Sequence, residues 1–224
     1  MDILAGLRDK LRFIERHYAA ASAPFREIRR QINDREEPFD LPPFDPEIDD
    51  GEPPFLVEWQ EATQSLNIEG QAALKIVQAA LREYLSSFVG MYGIPLTAKG
   101  KNWFEKYNRH FLDAYNIDFE KAPIPLDELE EVNLARNDTE HSGEPFGMTR
   151  RQSEQHARRF PGGLFVDEIE KQLFQESDDL WPKRIEVTEA GLKEAIRRVE
   201  TFCEFLDAQR DTMEFFARIH SAGG

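Results

Sequence analysis

Apolar positions recur every three or four residues over most of this chain, the period of a helix with one face against a core. In residues 3–32 they fall at Leu4, Leu7, Leu11, Ile14, Tyr18, Ala21, Phe25, Ile28 and Ile32, a three-four alternation over about four heptads. Pro24 lacks a backbone donor and predicts a kink or restart there, with Ser22 as a possible cap. The stripe suits a helical arm packed in the core and a seam between two copies equally well. A second helix is predicted from Leu56 to about Val89, with Ala62, Leu66, Ala73, Ile76, Val77, Ala80, Leu81, Tyr84 and Phe88 inward. Gly70 is its weak point, and Gly90, Gly93 and Pro95 end it.

A third stretch starts at Thr97 and ends near Asn116, with Trp103, Phe104, Tyr107, Phe111 and Leu112 inward. His110 lies opposite much of that stripe and reads as an ordinary surface or satisfied histidine. Pro123 and Pro125 open a short acidic helix whose apolar face is Leu126, Leu129 and Val132 or Asn133. Thr188 caps a last long helix through Leu192, Ile196, Val199, Phe202, Cys203, Leu206, Met213, Phe216 and Ile219.

Two segments break the helical period. Residues 35–56 hold six prolines and eight acids, which predicts an extended connector, anchored by Phe39, Phe44 and Phe55. Residues 143–187 are irregular, with a helical turn or two before Pro161-Gly162-Gly163. There Leu164–Val166 is a short strand or helix start, and Arg184–Val187 is extended. The fold expected is an all-α bundle of four to five long helices with an irregular excursion after His141. It divides into an N-terminal arm (1–34), the connector (35–56) and a bundle (57–220) that together make one globular unit.

Composition narrows the function classes. Net charge is −15 at pH 7, so any nucleic-acid contact must use a local patch rather than a broad basic face. No apolar run reaches the roughly 20 residues of a membrane span, and charges interrupt the N-terminal apolar positions, against a signal peptide. The single cysteine, Cys203, falls in a helical apolar pattern and reads as a buried hydrophobe in a reducing cytoplasm. Phosphate-binding glycine loops, the dinucleotide glycine fingerprint, His-Glu-x-x-His, a serine elbow and an EF-hand loop are all missing from the sequence.

The candidate chemistry sits in Leu129–Gly143, where Arg136, Asn137 and His141 fall within six residues. Arginine binds phosphate in a fork, and histidine moves protons near neutral pH. Arg136 lies along the core-facing side of its helix. Arg136 and His141 diverge by about 140° on a continuous helix, so they converge only if the helix ends or distorts, or if a second chain completes the site. Ser142-Gly143 and Pro145 supply a stop signal. The bare spacing recurs at Arg12/His17 and Arg151/His156, so context carries the case. Glu140 stands four residues past Arg136, within reach of a helix salt bridge. The most basic window is Arg150, Arg151, His156, Arg158 and Arg159.

Arg136-Asn137…His141 at a helix end, a polar loop, and Ile185-Glu-Val-Thr-Glu189 entering a last long helix together resemble the HEPN superfamily. The resemblance spans residues 57–210 as a helical pattern and is specific over those two segments. It implies a homodimeric helical bundle that cleaves RNA without metal or other cofactor, often in toxin–antitoxin or phage-defence systems. His141 would act as general acid or base, Arg136 would stabilise phosphorane charge, and Asn137 would orient the phosphate or the histidine. Arg150, Arg151, Arg158 and Arg159 would grip RNA, and an antitoxin-like protein is a possible regulator. Asp138, Thr139 and Glu140 stand where family members commonly carry apolar residues. The competing reading is a non-catalytic helical protein that dimerises and binds a protein partner.

Overall fold

The long N-terminal stripe folds back on its own chain. In the computed structural model, which describes residues 2–41, 51–141, 150–173 and 182–222, α1 (Ile3–Asp34) lies antiparallel to α2 (Leu56–Tyr92). Lys10 meets Glu83 near one end of the pair, and Arg29 stacks over Trp59 near the other. Leu4, Leu7, Leu11, Ile14 and Tyr18 share one core with Leu74, Val77, Leu81, Leu85 and Phe88. The first half of the stripe is therefore satisfied within one chain, while Phe25, Ile28 and Ile32 are only half-buried.

α1 does not restart at Pro24 but runs through it unbroken. Ser22 is inside the helix rather than capping it, and its hydroxyl donates to the Tyr18 carbonyl at 2.6 Å. Arg26 donates to the Ala19 carbonyl at 3.1 Å. Arg35, in the left-handed region, closes the helix. The ends of the connector meet where Phe39 packs edge-on against Phe55, ring centroids 4.9 Å apart. Phe44 lies outside the described residues.

The remaining helices are α3 (Trp103–Tyr115), α4 (Leu126–His141), α5 (Glu154–Arg159), α6 (Glu168–Leu173), α7 (Glu189–Asp207) and α8 (Arg210–Ala222), with a 3-10 turn at Phe119–Lys121. Among the described residues 74% are helical and no strand forms, which makes the architecture an all-α bundle. The two extended pieces meet only as isolated bridges, Arg151 with Arg184 and Val166 with Ile185. No helix among the described residues is long and apolar enough to cross a membrane.

α3 begins at Trp103 rather than Thr97, because Asn102 caps it by accepting the Glu105 N–H at 2.8 Å. That start turns Leu112 outward (46% exposed) and His110 inward (3%), so His110 is not a surface residue. It lies edge-on to Phe111 and Tyr115, its Nε2 has no partner, and burial lowers its pKa. Ile76 on α2 is likewise exposed. Phe119 fills the centre, against Phe111, Phe104 and Phe202. The last helix is two: the chain breaks after Asp207, whose carboxylate takes Arg210 at 2.6 Å, and Met213 returns to the core. Cys203 is fully buried, and burial raises its thiol pKa.

α2 and α7 run parallel, with the Tyr84 hydroxyl donating to the Cys203 carbonyl at 3.0 Å and Val187 pressed onto Gly70. A Cβ at Gly70 would stand 2.4 Å from the Val187 oxygen. Gly70 is the contact that lets the 185–188 segment lie on α2, rather than a weak point. Gly90 lies in the same helix with nothing within 4 Å of its Cβ position. Ala at a helical glycine normally gains up to about 1 kcal/mol. In urea unfolding, Gly90→Ala should raise stability by up to about 1 kcal/mol and move the midpoint upward, whereas Gly70→Ala should lower stability by about 1–3 kcal/mol through overpacking.

Candidate functional site

The helix that carries the Arg/Asn/His motif is buried around most of its circumference. Leu129, Val132, Leu134 and Ala135 are buried, and so are Glu131, Asn133, Asp138 and Thr139 (2–6% exposed). This follows from its place between α2, α7 and α5, and it explains why α4 shows no clean apolar stripe in sequence.

Buried polar groups cost free energy unless they are paired, and those of α4 find partners on different neighbours. The Glu131 carboxylate takes Arg198 of α7 at 3.0 Å and the Leu164 backbone N–H. Arg198 also reaches Glu128 and Glu194. A Cβ at residue 163 would stand 2.2 Å from the Glu131 Oε1, so a side chain there would displace the carboxylate from its present position. Asn133 Oδ1 accepts from Gln78 of α2 at 3.2 Å and from the Trp103 indole at 2.9 Å. Thr139 donates back to the Arg136 carbonyl at 2.6 Å.

Arg136 and Asn137 are brought together. Arg136 is half-buried, and its Nη1 donates to Asn137 Oδ1 at 3.1 Å and meets Glu140 Oε2 at 2.8 Å. Its Nε is shielded and has no partner. α4 continues through His141, so the helix does not end between Arg136 and His141. The His141 side chain lies outside the described residues, as do Ser142 and Gly143.

The basic window is largely neutralised by carboxylates. Arg151 donates to the Pro182 carbonyl at 3.1 Å and sits 3.6 Å from Glu170. Arg158 is the most exposed, with Glu154 at 3.7 Å. Arg159 meets Asp127 at 2.8 Å and Glu130. Arg150 engages through its backbone, its carbonyl accepting from Ile185 at 2.8 Å. Arg159 thus reaches the first turns of α4, about 9 to 14 Å along the helix from Arg136.

One pair was invisible to motif reading. His156, half of a chance Arg/His spacing, places Nδ1 2.7 Å from Asp138 Oδ2 on α4. Both are buried, His156 completely, and Phe160 lies edge-on to its ring. Asp138 accepts a hydrogen bond from Nδ1, and Nε2 has no partner among the described residues. The carboxylate-oriented imidazole is the arrangement of a general base, but full burial keeps it from any substrate on the outer surface. Its evident work is to tie α5 to the motif helix. The only sequence signal was an acid in a helix interior, beside a histidine whose helix is capped by Ser153.

Comparison with known proteins finds no matching family model, curated protein or solved structure. The class stated here is therefore that of the fold, an all-α bundle built around a buried polar helix.

Asp138→Ala should cost about 1–3 kcal/mol, the penalty for leaving a buried polar group unsatisfied. Replacing both partners, as Asp138→Leu with His156→Phe, should cost less than the sum of the single changes. Urea unfolding of the four proteins in the cycle checks this.

Proposed function

We propose that this chain is an RNA-cleaving protein of the HEPN type, whose site is completed by a second copy. The observation that carries the reading is the cluster on the last turns of α4. There a half-buried Arg136 is held against Asn137 one turn before His141. Supporting it, the Glu131, Asn133 and Asp138 contacts hold this helix against three neighbours, so the guanidinium projects from a fixed backbone.

In this mechanism His141 removes the proton from a ribose 2′-OH. The 2′-oxygen bonds to the adjacent phosphorus, the bond to the 5′-oxygen breaks, and a proton passes to that leaving oxygen. The products are a 2′,3′-cyclic phosphate and a 5′-hydroxyl. Arg136 meets the charge of the phosphorane-like transition state, and Asn137 orients the phosphate. Because α4 carries Arg136 and His141 on faces about 140° apart, the histidine serving one arginine comes from the second copy. Glu140 competes with phosphate for Arg136 and acts as an internal brake.

A second reading has its own support. Carboxylates sit against Arg151, Arg158 and Arg159, leaving little basic surface for RNA in a chain of net charge −15. This favours a non-catalytic helical protein that dimerises and binds a basic protein partner.

Purified protein incubated with RNA in EDTA separates the readings. The RNA-cleaving reading expects cyclic-phosphate ends, a loss of roughly 100-fold in Arg136→Ala and His141→Ala, and a gain in Glu140→Gln. Mixing the two inactive variants should restore part of the activity, because a mixed dimer keeps one composite site. Intact RNA with the parent protein, or variants that cut as well as the parent, favours the interaction protein.

A further inference from the structure

A second site lies away from α4. A cleft of about 420 Å³ opens between the later turns of α1, the first turns of α2 and the segment entering α7. That volume is in the range of small-ligand sites, and neither Arg136 nor Asn137 lines it. Its floor is fixed, because Val187 is pressed onto Gly70 and Thr188 caps α7 by accepting the Gly191 N–H at 3.0 Å.

The charges on its walls divide into two kinds. Arg26 is paired with Glu189, and Arg184 with Glu170 at 2.8 Å. Arg29 and Glu186, both half-buried, are in no salt bridge among the described residues. The Arg29 guanidinium stacks 4.8 Å from the centre of the Trp59 ring, which also lines the cleft. The Glu186 carboxyl is pushed above the usual carboxylate range by burial and by Asp167, with Arg29, Arg184 and a hydrogen bond from the Glu168 backbone N–H opposing the shift. The Asn67 side-chain oxygen on the same wall has no donor.

Two half-buried opposite charges that share a cleft without forming a salt bridge have their desolvation cost only partly offset, for Glu186 by the Glu168 backbone N–H and by Arg29 and Arg184. A ligand that offers an anion to one and an N–H donor to the other removes that cost. The aromatic wall asks for a flat body between the two groups. Inorganic phosphate would leave Glu186 unanswered and repelled, and a free amino acid would leave Trp59 uncovered.

We propose that the cleft binds a nucleoside monophosphate whose base carries an exocyclic amino group, with phosphate at Arg29, base against Trp59 and amine at Glu186. The inference does not rest on RNA cleavage at α4.

Calorimetric titration of the full chain with AMP, IMP, CMP, UMP, glycine and inorganic phosphate tests it. AMP or CMP should bind at about millimolar or tighter. IMP and UMP, which carry a keto oxygen in place of that amine, should bind roughly tenfold more weakly or not at all. Arg29→Ala and Trp59→Ala should abolish binding with unchanged helical circular dichroism, and Glu186→Gln should shift preference toward IMP and UMP. Arg136→Ala should bind as the parent does, which separates this site from the motif helix. Absence of heat with every nucleotide at about 10 mM overturns the proposal. So does equal binding of AMP and IMP and of CMP and UMP, binding of phosphate or glycine as tight as AMP or CMP, or undiminished binding in Arg29→Ala.

Discussion

The burial of a polar helix is the constraint on which the rest of this molecule depends. α4 brings Glu131, Asn133 and Asp138 into the interior, and each has to find a partner there or carry a desolvation cost of about 1–3 kcal/mol. The partners come from four directions: Arg198 from α7, Gln78 from α2, Trp103 from α3 and His156 from α5. Their geometry is directional, unlike apolar packing, so these bonds set the rotation and register of α4 among its neighbours. The requirement reaches beyond the helix. A side chain at Gly163 would push the Glu131 carboxylate out of place, and the short helix α5 is held by a buried imidazole rather than by its own length.

The same economy governs charge. In a chain of net charge −15, the arginines of the basic window sit beside carboxylates rather than presenting a cationic face. This removes nonspecific attraction to polyanions. Arg136 and Arg29 are half-buried guanidinium groups set apart from that window. Arg136 shares its charge with one glutamate. Arg29 stacks on a tryptophan ring and is in no salt bridge among the described residues. The two positions lie on different parts of the bundle, and each is a place where an anion would find an incompletely answered guanidinium.

Much of the fold was legible in the apolar period, and the failures have physical causes. The stripe of α1 marked the right residues, but periodicity cannot say whether a seam closes within a chain or between two; the antiparallel contact with α2 decides it for Leu4 to Tyr18. Pro24 lies inside α1 without ending it, because the packing of the long helix on α2 outweighs the one backbone bond a proline removes. His110 was misplaced because the phase of α3 is set by its cap at Asn102 rather than by its most hydrophobic residues. At the candidate site, Arg136 beside Asn137 was readable from one helix, and Glu140 as a competitor followed from spacing. The Asp138–His156 pair and the Arg29–Trp59–Glu186 cleft were not readable. Their members are separated by 18 residues or more and have no motif spacing, so only the packing of α5 on α4 and of α1 on α2 brings them together.

The central claim is that α4 is fixed in the interior by polar bonds. Native-state hydrogen exchange tests it most directly. Amides of residues 130–139 should exchange only with global unfolding, alongside the middle of α2 and α7. In Asp138→Ala and in Asn133→Ala that protection should drop locally, with α2 keeping its own. Exchange of α4 by local opening in the parent protein, well below the global stability, would contradict the account.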